Sequence, residues 1–296
     1  MRTPIFLLAV GLVWVPIVCA AEGRAYSEHL AAAPNGSVQI SNISGSVTVN
    51  GWDKPQVDIQ GTLGAEVDRV EVTRTEDRIV IKVLLPENVN HARGRGAEAM
   101  LQIHVPMNST LEVSTVSAPI TVDGIHGASK LHSVSGDVHA ALAGAEEEAN
   151  SVSGNVYVSG NPTVATLRTS TVNGTVFLTH GVGDISAHTV NGRLDLAVDG
   201  SKNVAAGSVS GDVVFSGHLL PDAQMKATTV DGKLAVKVSA DAGYSYDIAT
   251  FGGSIHTCFG GQTGSGPLSG QVGPNGAGHA SVNLRSLHGG IELCDR

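Results

Sequence analysis

Apolar and polar residues alternate along most of this chain in short bursts, not in the wider stripes of helices. Val156-x-Val158, Val176-x-Leu178, Leu194-x-Leu196-x-Val198, Val213-x-Phe215 and Leu234-x-Val236-x-Val238 all show a period of two, which buries one face of a strand. Each burst follows one short phrase: "TVNGTVFL" at Thr171 returns as "SVSGDVHA", "SVSGNVYV", "TVNGRLDL", "SVSGDVVF" and "TVDGKLAV". The phrase glycines are Gly136, Gly154, Gly174, Gly192, Gly211, Gly232, Gly253 and Gly289, and Ala118 holds the same place in "TVSAPI". From Ala118 onward the spacings are 18, 18, 20, 18, 19, 21, 21 and 36. A period near 19 denotes an array with an insertion in its last interval. An earlier echo, "NISGSVTV", contains Gly45.

Two architectures fit such copies. Asn-Gly between alternating segments is a hairpin signal, so an antiparallel β meander is one reading. The favoured reading is a single-stranded β-solenoid with about 19 residues per coil, in which equal positions of adjacent copies stack ~4.8 Å apart. Two columns support stacking. The residue after the glycine runs Asp137, Asn155, Thr175, Arg193, Asp212, Lys233, Ser254 and Gly290, with no adjacent like charges, and the first phrase position is a hydroxyl in every copy from Thr115 to Ser286. The eight glycines are then structural turns, and Gly174 and Gly192 are expected to hold positive φ at the corners. Val134 and its counterparts Val116, Val152, Val172, Val190, Val209, Val230 and Phe251 depart from strict alternation. They are either core, the reading preferred because long exposed apolar patches are uncommon, or an external stripe.

The flanks differ from the repeat. Residues 1–20, with Arg2, an apolar run from Ile5 to Val18 and small residues at the end, read as a secretory signal peptide cleaved after Ala20. Residues 21–35 read as a flexible leader, 36–112 as an N-terminal β region, 113–257 as the solenoid and 258–296 as a glycine-rich C-terminal cap. The segment "ENVNHARGRGAE" is a hydrophilic loop, and its His91, Arg93 and Arg95 are the cations that could touch an anionic polymer. Cleavage also removes Cys19. That leaves Cys258 and Cys294, and an even pair in an exported chain reads as a disulfide. Aligning "FGGSIHTC" with "LHGGIELC" sets both at one place in successive copies, which stacking would bring within bridging distance.

The 37 Gly, an aromatic content of 4% and abundant Val, Ser and Thr favour short strands over helix. A net charge of -9 with no basic stripe argues against nucleic acid as a partner, and the mature chain lacks a run long enough to span a bilayer. The search for chemistry finds no catalytic residues, no cofactor site and no metal site. The twelve His do not cluster, and His132 and His188 fall in one column three copies apart, about 14 Å. Asp184, Asp195, Asp199 and Arg193 are the nearest approach to a polysaccharide-cleaving set, and Glu146, Glu147 and Glu148 read as a solvated turn.

The "SVSGDV" and "TVNGRL" phrases, the opening "ISGSVTVNGWD" and the closing "GGIELC" resemble a bacterial β-strand-repeat family labelled "putative adhesin", over about Ile40 to Cys294. The resemblance implies a β-solenoid in an exported envelope protein, periplasmic or at the cell surface, and supplies no ligand and no catalytic residue. The expected function is non-catalytic: adhesin-like binding of an unknown envelope polymer or protein, or a structural scaffold. The alternatives are a polysaccharide-active β-helix and a self-assembling solenoid.

Overall fold

The computed structural model describes residues 23–86, 95–239, 243–259, 263–273 and 280–295. The expected signal peptide, and His91 and Arg93 of the hydrophilic loop, lie outside these residues. Among the described residues, every regular element apart from one 3-10 turn at Arg95–Ala97 is a strand.

Strands of successive copies pair in parallel, one copy apart. Ser129–Ser133 lies between Thr110–Thr115 and Glu146–Ser151, with Leu131 opposite Val113 and Ala149. On the other side of each coil, Val156 of Val156–Ser159 lies opposite Val138 and Val176. This parallel, in-register pairing is that of a β-solenoid, and it excludes the meander, whose neighbours would be antiparallel. The inward residues of the two ladders, such as Leu131, Leu167 and Ile185 on one and Val138, Val176 and Leu194 on the other, fill a single core.

Parallel stacking begins before the regular phrases. Ser37–Asn42 and Gly45–Trp52 already form a coil, paired with Thr110–Thr115 and Ile120–Ile125. Between them the chain makes an excursion that covers this first coil: Ala99–Pro106 is antiparallel to Gln56–Leu63, and Arg78–Leu84 to Arg69–Thr75. Residues Arg24–Ala31 are not a flexible leader. They form a strand antiparallel to Gln56–Leu63, because Tyr26 and Leu30 alternate with polar residues and pack on the core.

At the other end the spatial order departs from the chain order. The last strands, Ala280–Ser286 and Ile291–Asp295, insert between the coil ending in Leu234–Val238 and the one made of Tyr244–Thr250 and Ile255–Thr257. Cys258 and Cys294 are therefore neighbours, bridged by a disulfide with a Cα–Cα distance of 4.8 Å. In the stack, the later copy precedes the earlier one.

The corner glycines have a different cause from the one expected. Gly174 and Gly192 do not adopt positive φ; among corner glycines only Gly45 does, at 105°. What excludes a side chain is the coil below. A Cβ on Gly154, Gly174 or Gly192 would fall within 3.0 Å of the carbonyl oxygen of Gly136, Gly154 or Gly174, respectively. The preceding hydroxyl ties both backbones together: Ser151 Oγ donates to the Gly136 carbonyl at 3.0 Å and accepts the Gly154 N–H at 2.9 Å. Thr250 makes the same pair with the Gly289 carbonyl and the Gly253 N–H.

The valine column also departs from the expectation. It lies outside, with Val134 47% and Val172 38% exposed, because each corner turns between the buried hydroxyl and the glycine, so alternation stops there. Glu147 departs from it as well, being buried within the strand Glu146–Ser151 and not part of a solvated turn.

Replacing Gly174 by Ala should cost more than about 2 kcal/mol, since the rigid carbonyl of the next coil must move. Gly264→Ala, where a Cβ meets nothing within 4 Å, should stay within about 0.5 kcal/mol. Denaturant melts of the two variants check this, and equal midpoints would contradict the close-approach account. Removing the disulfide by Cys258→Ser and Cys294→Ser should weaken the terminal coils by up to about 4 kcal/mol. Amide exchange should then speed up in Tyr244–Thr250 and not in Ser129–Ser133; unchanged protection at both would count against this role.

Candidate functional site

In-register stacking turns each outward position into a row across the ladder. One row runs Ser27, Gln60, Gln102, Thr48, Thr121, His139, Tyr157, Phe177 before it reaches Asp195 on the next strand. With His neutral it carries no formal charge over the eight strands as far as Phe177. Its three rings stack face to face: His139 on Tyr157 at 4.5 Å between centroids and 5° between planes, Tyr157 on Phe177 at 5.0 Å and 2°. Each contact contributes about 0.5–1.5 kcal/mol beyond simple burial. Both faces of the middle ring, Tyr157, are covered by its neighbours, so its edge is the part left at the surface.

Two grooves follow this row. One, of about 440 Å³, runs beside the rings over a low floor of Ala141 and Ser159 and is bounded by Asp123 and Thr179. The other, of about 890 Å³, lies over the N-terminal strands among Tyr26, Ser46, Thr48, Gln60, Met100 and Gln102. Tyr26 donates to Glu28 beside it, and burial together with that acceptor raises its phenol well above the ordinary range. Uncharged amides, hydroxyls and apolar ring edges laid along one axis suit an extended neutral ligand.

The opposite ladder has a smaller hollow of about 360 Å³. Ser186 and Ala205 form its floor between Arg168 and Lys226, three ladder steps or about 14 Å apart. No ion pair forms at either cation among the described residues.

The residues proposed for polysaccharide cleavage are not assembled. Asp195 pairs with Arg193 at 3.3 Å, Asp199 with His180 at 2.9 Å, and Asp184 accepts Asn203 at 2.7 Å on the opposite ladder. His132 and His188 share a row but are three steps apart. Among the described residues the one cluster with metal-ligand chemistry is Cys258, Glu292 and Cys294, whose thiols are consumed by the disulfide. Arg95 begins the 3-10 turn and lines none of these grooves.

Glu147 was missed as a titrating group. Its Oε1 accepts the Gly144 N–H at 2.8 Å while the carboxyl is sealed from water. Burial raises its pKa to about 7, against the pull of the Gly144 hydrogen bond. Only the parity of its strand, where Glu147 shares a face with the apolar Ala149, marks this in the sequence.

A family model described as Toastrack DUF4097 matches residues 69–293. No curated protein matches the chain. Among solved structures, a "putative adhesin" from Bacteroides fragilis aligns over 92% of this chain and 98% of its own, with 11% identity and a TM-score of 0.41. A "putative lipid binding protein" from Parabacteroides distasonis aligns over 93% and 97%, with 13% identity and a TM-score of 0.43. A "putative cell adhesion protein" from Clostridium sporogenes aligns over 92% and 100%, with 9% identity and a TM-score of 0.27.

The Glu147 carboxyl sets a pH dependence of stability. Because its folded pKa lies above the ordinary carboxylate value, its contribution is fully favourable below about pH 4.5 and declines as pH rises through about 7. Glu147→Gln should flatten the fall in stability between those limits, by as much as ~3 kcal/mol. Chemical denaturation at both pH values measures it, and an identical slope in the variant would refute the assignment.

Proposed function

The chain belongs to the Toastrack DUF4097 family, and from that premise we propose that it is a non-catalytic, exported envelope protein that binds an extended polymer or the surface of another envelope protein. The observation that carries this reading is the charge-free row from Ser27 to Phe177 with a groove at each end. A long, shallow, repetitive face suits a ligand that is itself long and repetitive. Its many weak contacts add along the axis, which a compact catalytic pocket does not offer. Export is supported by the disulfide, since such bridges persist in oxidising compartments. No helix among the described residues is long and apolar enough to cross a membrane.

The supporting observation against a polysaccharide-cleaving enzyme is that Asp195 and Arg193 satisfy one another while Asp184 faces the opposite side. The test is retention of the purified mature chain on insoluble cell-wall material and on outer-membrane extract at low salt. Tyr157→Ala with Phe177→Ala should reduce retention by about tenfold or more. Arg168→Ala with Lys226→Ala, on the opposite ladder, should leave it unchanged. If wild-type protein is retained on neither material, or only the cation variant loses binding, the ring row is not the binding face.

A further inference from the structure

The corner stripe is the largest surface feature that polymer binding leaves unexplained. It comprises ten stacked residues: Ile43, seven valines from Val116 to Val230, Leu287 and Phe251. Their order in the stack follows the corner hydrogen bonds, in which Ser153 donates to the Val134 carbonyl, His288 to that of Val230 and Gly252 to that of Leu287. Nine are 37–47% exposed and Phe251 is 85% exposed. Together they leave on the order of 800 Å² bare, where the largest patch of a typical monomer is about 300–600 Å².

We propose that this ridge is the contact through which two copies of the chain associate side by side. Four observations select a second copy as the occupant. The bare area matches the about 800 Å² that each partner gives to a standard interface. The ridge repeats at the strand spacing, and a second identical ladder has the same period along its whole length. The flanking rows are almost free of charge: the Ser135, Ser153, Asn173, Asn191 side contains Asp231, and the His132, Asn150, Ser170 side contains Arg285. Both ions are already paired, Asp231 with His288 at 2.7 Å and Arg285 with Asp247 at 2.7 Å. A net acidic chain can thus bring this face against itself without opposing like charges, and depletion of charge is what interface centres share.

The N-terminal end of the solenoid, by contrast, is guarded. At the N-terminal end the outermost strands Arg24–Ala31 and Arg69–Thr75 run antiparallel and carry Arg24, Arg69, Glu71 and Arg74, which discourages end-to-end pairing. The corner, uncharged where this end is charged, is therefore the face assigned to association.

Sedimentation velocity of the mature chain, from low to high micromolar concentration, tests this independently of any polymer retention. The expected result is a reversible dimer. Val172→Thr, Val190→Thr and Val209→Thr together keep the β-branched shape while adding hydroxyls, and should weaken dimerisation by more than about tenfold without moving the melting temperature. A second variant, Ser153→Arg with Ser210→Arg, leaves the ridge intact and adds unpaired charge beside it; it should give monomers. Wild-type monomers at every concentration would overturn the proposal, as would a dimer unaffected by the arginine pair. Capture of the wild-type chain as a monomer by neutral phospholipid vesicles, lost in the threonine variant, would assign the ridge to a lipid surface instead.

Discussion

The close approach of one corner glycine to the next is the contact on which the rest of this molecule depends. The carbonyl of Gly154 occupies the space that a Cβ on Gly174 would need, and the Thr171 hydroxyl donates to that same carbonyl at 2.9 Å. The contact repeats from coil to coil and permits one relative position of adjacent corners. A one-residue slip would place a side chain against a carbonyl and strand a buried hydroxyl. Register, ordinarily specified only by which face is apolar, is here also imposed at a point.

Fixed register makes every outward position a row of its own kind. The rings of His139, Tyr157 and Phe177 meet because their strands cannot slide, and the row after the glycine is stitched in the same way. Asp137 accepts the Asn155 N–H, Asn155 accepts that of Thr175, and Asp212 accepts that of Lys233. Chemistry on this scaffold is accordingly linear. A mutation changes one step of a row and leaves its neighbours in place, so specificity can vary by position along the axis while the core is untouched.

Much of this was legible in the chain. The repeat phrase follows from periodicity, and the parallel stacking and the Cys258–Cys294 pairing are the readings that its columns and alignment favour over a meander. The corner valines were misplaced because alternation is a rule for strands, and the four-residue corner suspends it for Val134 and its counterparts. The glycines were correctly singled out for an incorrect reason, since a sequence shows that a side chain is forbidden but not whether torsion or a neighbouring carbonyl forbids it. Glu147 was overlooked because three consecutive acids look solvated, although the strand turns the middle one inward. The ring row joins residues from separate strands, of which Ser27 and Gln60 lie outside the repeated phrases, so no local pattern announces it.

The insertion of the last strands beneath the preceding coil has a consequence for the order of assembly. A chain emerging N-terminus first can add coils one by one as far as Leu234–Val238. Tyr244–Thr250 then appears before the surface on which it rests, because Ala280–Ser286 has still to be made. Until that happens Tyr244, Tyr246 and Ile248 have the antiparallel strand Leu268–Val272 and the Phe259 ring for company, but not the strand beneath them. The final residues thus act as a keystone, and the bridge between Cys258 and Cys294 can form only after they have slid home. A nascent chain released a few residues short would carry a nearly finished tower with an open upper edge.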